Sequence, residues 1–157
     1  MSIQIQLSRG EITKIDDCDF DLCKYKWYSD HGYAIRNISQ FPFHKIERLH
    51  RVILSRMLGR PLLNHEQVDH INCNSFDNAR NNLRLCTPHQ NRWNRKLNKN
   101  NSSGYKGVKS SRNKWRATIQ VNNQEIDLGS FTTPEDAAHA YDDAARLHFG
   151  IFAKTNF

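Results

Sequence analysis

The chain has 157 residues, 38% of them hydrophobic and 10% aromatic, enough for folded structure and too many for wholesale disorder. Lys and Arg outnumber Asp and Glu 23 to 16, a net charge of +7, which favours an anionic partner, with nucleic acid the first candidate. No apolar run reaches bilayer length, and Met1-Ser2-Ile3-Gln4 lacks the basic start and apolar run of a secretory signal, so no membrane partner is expected and the reading is an intracellular, cytoplasmic protein.

Residues 1 to about 48 alternate apolar and polar positions in short runs: Ile3 to Leu7, Tyr25 to Tyr28, Tyr33 to Arg36. The pattern predicts a small antiparallel sheet, with turns at Ser8-Arg9-Gly10 and Asp30-His31-Gly32. Leu49 to Leu58 gathers Leu49, Val52, Ile53, Leu54 and Leu58 on one side of a helix, and Gly59-Arg60-Pro61 ends it. Gln67 to Ile71 is a short strand candidate. A polar turn at Asn72 to Ser75 follows, then a short helical piece containing Asn78, Ala79 and Asn81. Leu83 to Cys86 alternates again as a strand. Thr87-Pro88 has the form of a cap with proline at the first helical position, and the helix it opens is expected to run to about Leu97.

Asn98 to Gly104 contains no apolar residue and is the best linker candidate. Beyond it, Trp115 to Val121 is a period-2 strand, Asn122-Asn123 a hairpin turn, and Glu125 to Phe131 a further strand. Thr133-Pro134-Glu135-Asp136 starts a helix whose small face is Ala137, Ala138, Ala140, Ala144 and Ala145, closed by Gly150. Cys18, Cys23, Cys73 and Cys86 include no close pair. They are read as reduced thiols, with a four-cysteine zinc module as the lesser alternative.

The chemistry concentrates where Asp69-His70 sits at a strand end and a second strand leads to a capped helix bearing Asn91. Such a frame returns Asn91 towards Asp69, and the two offer oxygens to a hard cation that prefers few protein ligands. A neutral imidazole at His70 can take a proton from an attacking water. On a regular strand adjacent side chains point apart, so for Asp69 and His70 to serve one phosphate a local distortion or a ligand role shared with the backbone is expected.

Four stretches resemble the HNH endonuclease family, particularly its single-metal phage and intron homing enzymes: Leu49-His50-Arg51, Val68 to Asn72, Asp77 to Arg84, and Thr87 to Asn91. The resemblance implies a ββα-metal motif at about 66–96. In it His70 is the general base, Asp69 and Asn91 hold the metal (Mg²⁺, with Mn²⁺ the alternative), and Asn82 bonds backbone to fix the histidine loop. His50 is a further candidate that packs or contacts phosphate, while His44, His65 and His89 are given no chemistry. A glycine usually follows the position of Asn72 in that family; here it is Cys73, and a differently twisted turn is expected.

The region 105–157 resembles the AP2/ERF DNA-binding domain, through Tyr105 to Lys109, Trp115, Leu128 to Phe131, Ala137 to Asp142 and Asn156-Phe157. That implies a three-stranded sheet lying in the major groove with one helix behind it. By alternation Trp115, Ala117, Ile119 and Val121 face the helix, and Arg116, Thr118 and Gln120 face out, joined by Lys106, Lys109 and Arg112. Few arginines stand at the base-reading positions, so weaker sequence preference is expected. Arg80, Arg84, Arg92, Arg95, Lys96 and Lys99 crowd the nuclease frame as candidate phosphate contacts.

The expected fold class is therefore α+β: a nuclease domain at 1–97, a linker at 98–104, and an AP2-like domain at 105–157. The expected function is a metal-dependent, homing-type DNA endonuclease acting on double-stranded DNA as a monomer, in the host cytoplasm if phage-encoded. A DNA-binding transcriptional regulator with an inert centre is the alternative.

Overall fold

The computed structural model describes residues 1–38 and 45–157; His44 lies outside them. The described chain is α+β and separates into two compact units, Met1–Asn91 and Arg92–Phe157.

The first unit opens with β1 (Ser2–Gln6) and β2 (Ile12–Asp16), an antiparallel hairpin closed at Gly10, where φ is 91°. Alternation sends Ile5, Thr13 and Ile15 into the core. A 3₁₀ helix, Asp17–Lys24, follows. Its polar, acidic sequence gives no periodicity to predict it. Its conformation is held from a distance: the buried Asp19 carboxylate receives Arg80 Nε and Nη2 at 2.8 and 3.0 Å and Arg56 Nη1 at 3.2 Å. The strands β3 (Tyr28–Asp30), β4 (Tyr33–Asn37) and β5 (Ile46–Arg48) then form a separate meander, so the one N-terminal sheet read from the pattern is two. The His31-Gly32 turn has φ of 46° and 80°, the primed geometry that tight hairpins prefer.

Helix α1 (Leu49–Leu58) buries Leu49, Ile53 and Leu54 against Ile15, Leu22 and Trp27. Gly59 ends it in the left-handed region at φ 66°, its N–H turned back to the carbonyls of Ser55 and Arg56. This core is the platform for a second antiparallel pair, β6 (Gln67–His70) and β7 (Leu83–Cys86), and for α2 (Pro88–Trp93). A reciprocal capping box starts α2: Gln90 N–H donates to Thr87 Oγ1 at 3.3 Å, and Thr87 N–H to Gln90 Oε1 at 2.8 Å.

The helix stops four residues short of the Leu97 expected from the sequence. Trp93 stacks on Phe149 at 4.5 Å, and the Lys106 ammonium donates to the carbonyls of Trp93 and Arg95, so tertiary partners within the second unit replace further helical bonds. That unit holds β8 (Val108–Ser111), β9 (Lys114–Val121) and β10 (Gln124–Phe131), in the order β10-β9-β8, with α3 (Pro134–Phe149) packed on one face. Asn122 and Asn123 turn the hairpin with φ of 49° and 65°. Thr133 Oγ1 caps α3 by accepting from Asp136 N–H. The small side chains Ala137, Ala138 and Ala145 are fully buried against the sheet. Contact is so close that a β-carbon on Gly107 would sit 1.9 Å from Tyr141 Cδ2. The chain end is pinned by the buried Asp142 carboxylate, which accepts from the backbone N–H groups of Asn156 and Phe157. Among the described residues no helix is long and apolar enough to cross a membrane.

Candidate active site

Asp69 and His70 end β6, paired to Arg84 and Leu83 of β7. Pairing is regular through His70, without the distortion expected between the two residues. Their surroundings accordingly differ. Asp69 Oδ2 takes Arg84 Nε at 2.7 Å and Nη2 at 2.6 Å. Two residues earlier, on the same strand face, Gln67 Oε1 accepts from Asn91 Nδ2 at 2.8 Å. With its nitrogen engaged there, the Asn91 amide has its oxygen as the remaining donor to a cation. A carboxylate and an amide oxygen are hard ligands, and so they fit Mg²⁺ or Mn²⁺ rather than zinc. Gln67 was not singled out by the sequence reading, although its place two residues before Asp69 marks it as sharing that face.

His70 faces a different set of groups. Its Nε2 lies 3.1 Å from Asn78 Oδ1 in a buried contact. The His50 ring meets it edge-on at 5.3 Å, and Tyr33 stands 5.1 Å from His50. Burial pushes the His70 imidazole below the ordinary histidine range, opposed by the bond to Asn78 and the charges of Asp69 and Asp77. His50 is pushed down to about 3, first by burial and then by the charges of His70, Arg48 and Arg51. Both rings are thus neutral near pH 7. Among the described residues His50 Nδ1 has no hydrogen-bond partner, although it is buried. The sequence left His50 between packing and phosphate contact; its place against His70 joins it to the same cluster.

The loop between the strands is held by asparagines. Asn82 Oδ1 accepts from Asn72 N–H at 2.9 Å, its Nδ2 donates to the Asp77 carbonyl at 2.7 Å, and its carbonyl accepts from Ile71 N–H. Cys73, where a glycine was expected from the resemblance, sits at φ 58°. The backbone keeps the left-handed turn a glycine adopts freely, and the cysteine bears the strain.

The basic residues expected on DNA divide into two sets. Arg80 is bound to Asp19, Arg84 to Asp69, Arg116 to Asp127, and Lys109 approaches Glu125 at 3.6 Å. Lys106 caps carbonyls, as described above. Arg92, Arg95, Arg112 and Gln120 are exposed. Thr118, expected to face out, is buried, and its N–H donates to the Gly107 carbonyl at 2.8 Å. A zinc module is not assembled: among the described residues no three His, Cys, Asp or Glu side chains converge as a metal site, and the four cysteines form no disulfide.

A family model for HNH endonucleases matches residues 47–93, the stretch from β5 to α2 that carries this constellation. An uncharacterised HNH endonuclease of Acanthamoeba polyphaga mimivirus is 36% identical over 135 residues, 85% of this chain and 67% of that protein. Protein 3.8 of Escherichia phage T7 is 34% identical over 114 residues, 71% of this chain and 93% of its own. The chain belongs to the HNH endonuclease family. Its C-terminal region is similar to plant AP2/ERF proteins at partial coverage, among them an AP2/ERF and B3 domain-containing transcription repressor of Arabidopsis thaliana, 46% identical over 57 residues, 36% of this chain and 16% of that protein.

Proposed function

We propose that this protein is a metal-dependent DNA endonuclease of the homing type, cutting with the β6–β7–α2 frame and holding double-stranded DNA with the AP2-like sheet. The observation that carries the reading is that the end of β6 gathers hard oxygen donors, Asp69 with Asn91 held at Gln67, next in the chain to a buried histidine, His70. Because the strand is regular and the two side chains diverge, service to one phosphate falls to a ligand role shared with the backbone. Asp69 and Asn91 hold a divalent cation, Mg²⁺ in the first place. When bound, it supplies Lewis-acid stabilisation of the charge on the departing 3′-oxygen. His70 takes the proton of the attacking water, a role suited to a ring kept uncharged by burial. Asn82 keeps the loop behind His70 in place and takes no part in proton transfer. Exposed Arg92, Arg95 and Arg112 engage phosphates, while Arg80 and Arg84 reach one only by giving up a carboxylate. The viral relatives fit a homing or mobile-element role.

Supercoiled plasmid incubated with the protein and Mg²⁺ tests this. Cleavage is expected with Mg²⁺ and not with EDTA, and His70→Ala should be slower by about a hundredfold or more, the usual contribution of a general base. Equal nicking by both proteins would overturn the assignment of His70, and no cleavage by the unaltered protein would favour a DNA-binding regulator.

A further inference from the structure

Behind His70 runs a line of buried polar groups that the proposed chemistry does not itself touch. Asn78 is 1% exposed and Thr13, on β2, is 0% exposed. Asn78 Nδ2 lies 2.7 Å from Thr13 Oγ1 and 3.4 Å from the Ser75 carbonyl. A carbonyl oxygen only accepts, so the Asn78 atom facing Ser75 is the amide nitrogen. The Thr13 hydroxyl donates to the Phe76 carbonyl at 2.8 Å, so Thr13 Oγ1 is left to accept from Asn78. Both contacts turn the Asn78 oxygen towards His70. An amide oxygen cannot donate, and hence the proton of the neutral ring lies on Nε2 and the lone pair on Nδ1.

We infer that Asn78 is a positioning residue for His70 and that Thr13 of the N-terminal hairpin is its support, the two together holding the imidazole in the Nε2–H tautomer so that Nδ1 is the basic nitrogen. The inference rests on the reading of His70 as general base. If the amide turned over, its nitrogen would face Nε2 and force the proton onto Nδ1, so that Nδ1 would no longer be the basic nitrogen. Thr13 and the Ser75 carbonyl oppose that turn. Backbone bonds fix the support: Lys14 N–H donates to the Phe76 carbonyl and Asn78 N–H to the Lys14 carbonyl, each at 2.8 Å. The β1–β2 hairpin contributes none of the proposed metal ligands or base, yet it becomes part of the cutting apparatus through residues 65 positions apart.

The tautomer is measurable without metal or DNA, by ¹⁵N–¹H correlation of the imidazole rings in the full chain labelled at histidine, above the histidine range of pH. The unaltered protein and Asn78→Asp, whose carboxylate still accepts, should show His70 protonated on Nε2. Asn78→Leu, which removes the acceptor, should return the ring towards the tautomer mixture of a free neutral imidazole, with Nδ1–H newly detectable, and Thr13→Val should do so partially. In cleavage assays kcat should fall about a hundredfold for Asn78→Leu and about tenfold for Thr13→Val with KM little changed, and Asn78→Asp should restore most of it, on the scale of general-base catalysis. A proton on Nδ1 in the unaltered protein, or an unchanged tautomer in both Asn78→Leu and Thr13→Val, would overturn the inference. Should Asn78→Leu not fold, the tautomer in Thr13→Val decides. Cleavage by His70→Ala at the unaltered rate would instead reject the general-base reading, leaving the tautomer result to be judged by itself.

Discussion

Each unit carries an Arg–Asp pair bridging two antiparallel strands, and the two pairs differ chiefly in burial. Arg84 and Asp69, in the cutting frame, have side chains 15% and 5% exposed. Arg116 and Asp127, on the C-terminal sheet, are 48% and 53% exposed. The buried pair cannot be broken from one side without stranding a charge in a poorly solvated site, whereas the exposed pair gives up little that water does not return. The contrast matches the proposed tasks. A carboxylate meant to hold a cation has to be kept in one place, and a guanidinium meant to meet DNA phosphates has to be released cheaply.

The contrast can be broken in four ways. Replacing Arg84 with Leu should destabilise the protein by about 3 kcal/mol in thermal or urea unfolding, the scale of a severed buried pair. Saturating Mg²⁺ should return part of that loss, because a cation bound by the native state alone stabilises it. A loss below 1 kcal/mol would place the Asp69 site among ordinary surface pairs. Acid is the next lever. His50 is held at about 3 against 6.5 for the free side chain, so the unfolded chain binds the proton that the fold refuses. Its contribution to stability is therefore complete above pH 6.5 and is lost progressively as pH falls from there towards 3. His50→Phe should flatten the fall of Tm across that window, and an unchanged slope would remove His50 as its cause. Cys73→Gly should stabilise by about 1 kcal/mol, since the left-handed conformation at φ 58° costs an L-residue roughly that much. Arg116→Leu should leave Tm little changed while weakening DNA binding and flattening its salt dependence. A large loss of stability there would erase the difference between the two pairs.

What could be read in the sequence was local. Asp69, His70, Asn82 and Asn91 lie within 23 residues, on a strand, a turn and a capped helix whose signals are each short-range. The alanine face of α3 and the Asn122-Asn123 turn are legible for the same reason. What escaped depended on distant partners. The 3₁₀ helix at Asp17–Lys24 is fixed by Arg80, 61 positions away from Asp19. Asn78 reads as part of a short helical piece, and only the fold brings Thr13 to it. Arg80 and Arg84 read as free positive charge, because composition counts cations without showing which carboxylates they already hold. Thr118 follows the strand alternation in sequence, yet it is buried, which the alternation alone does not show.

The central claim is a division of labour around β6, with metal held by Asp69 and Asn91 and the proton taken by His70. The most direct test is the cleavage rate as a function of Mg²⁺ concentration for Asn91→Ala and His70→Ala beside the unaltered protein. The account predicts that Asn91→Ala raises the half-saturating Mg²⁺ at least about tenfold, the scale on which loss of a supporting ligand acts. It predicts that His70→Ala leaves the half-saturation where it was and lowers the plateau. A His70→Ala protein whose plateau returns simply on adding Mg²⁺, or an Asn91→Ala protein with an unaltered half-saturation, would contradict it.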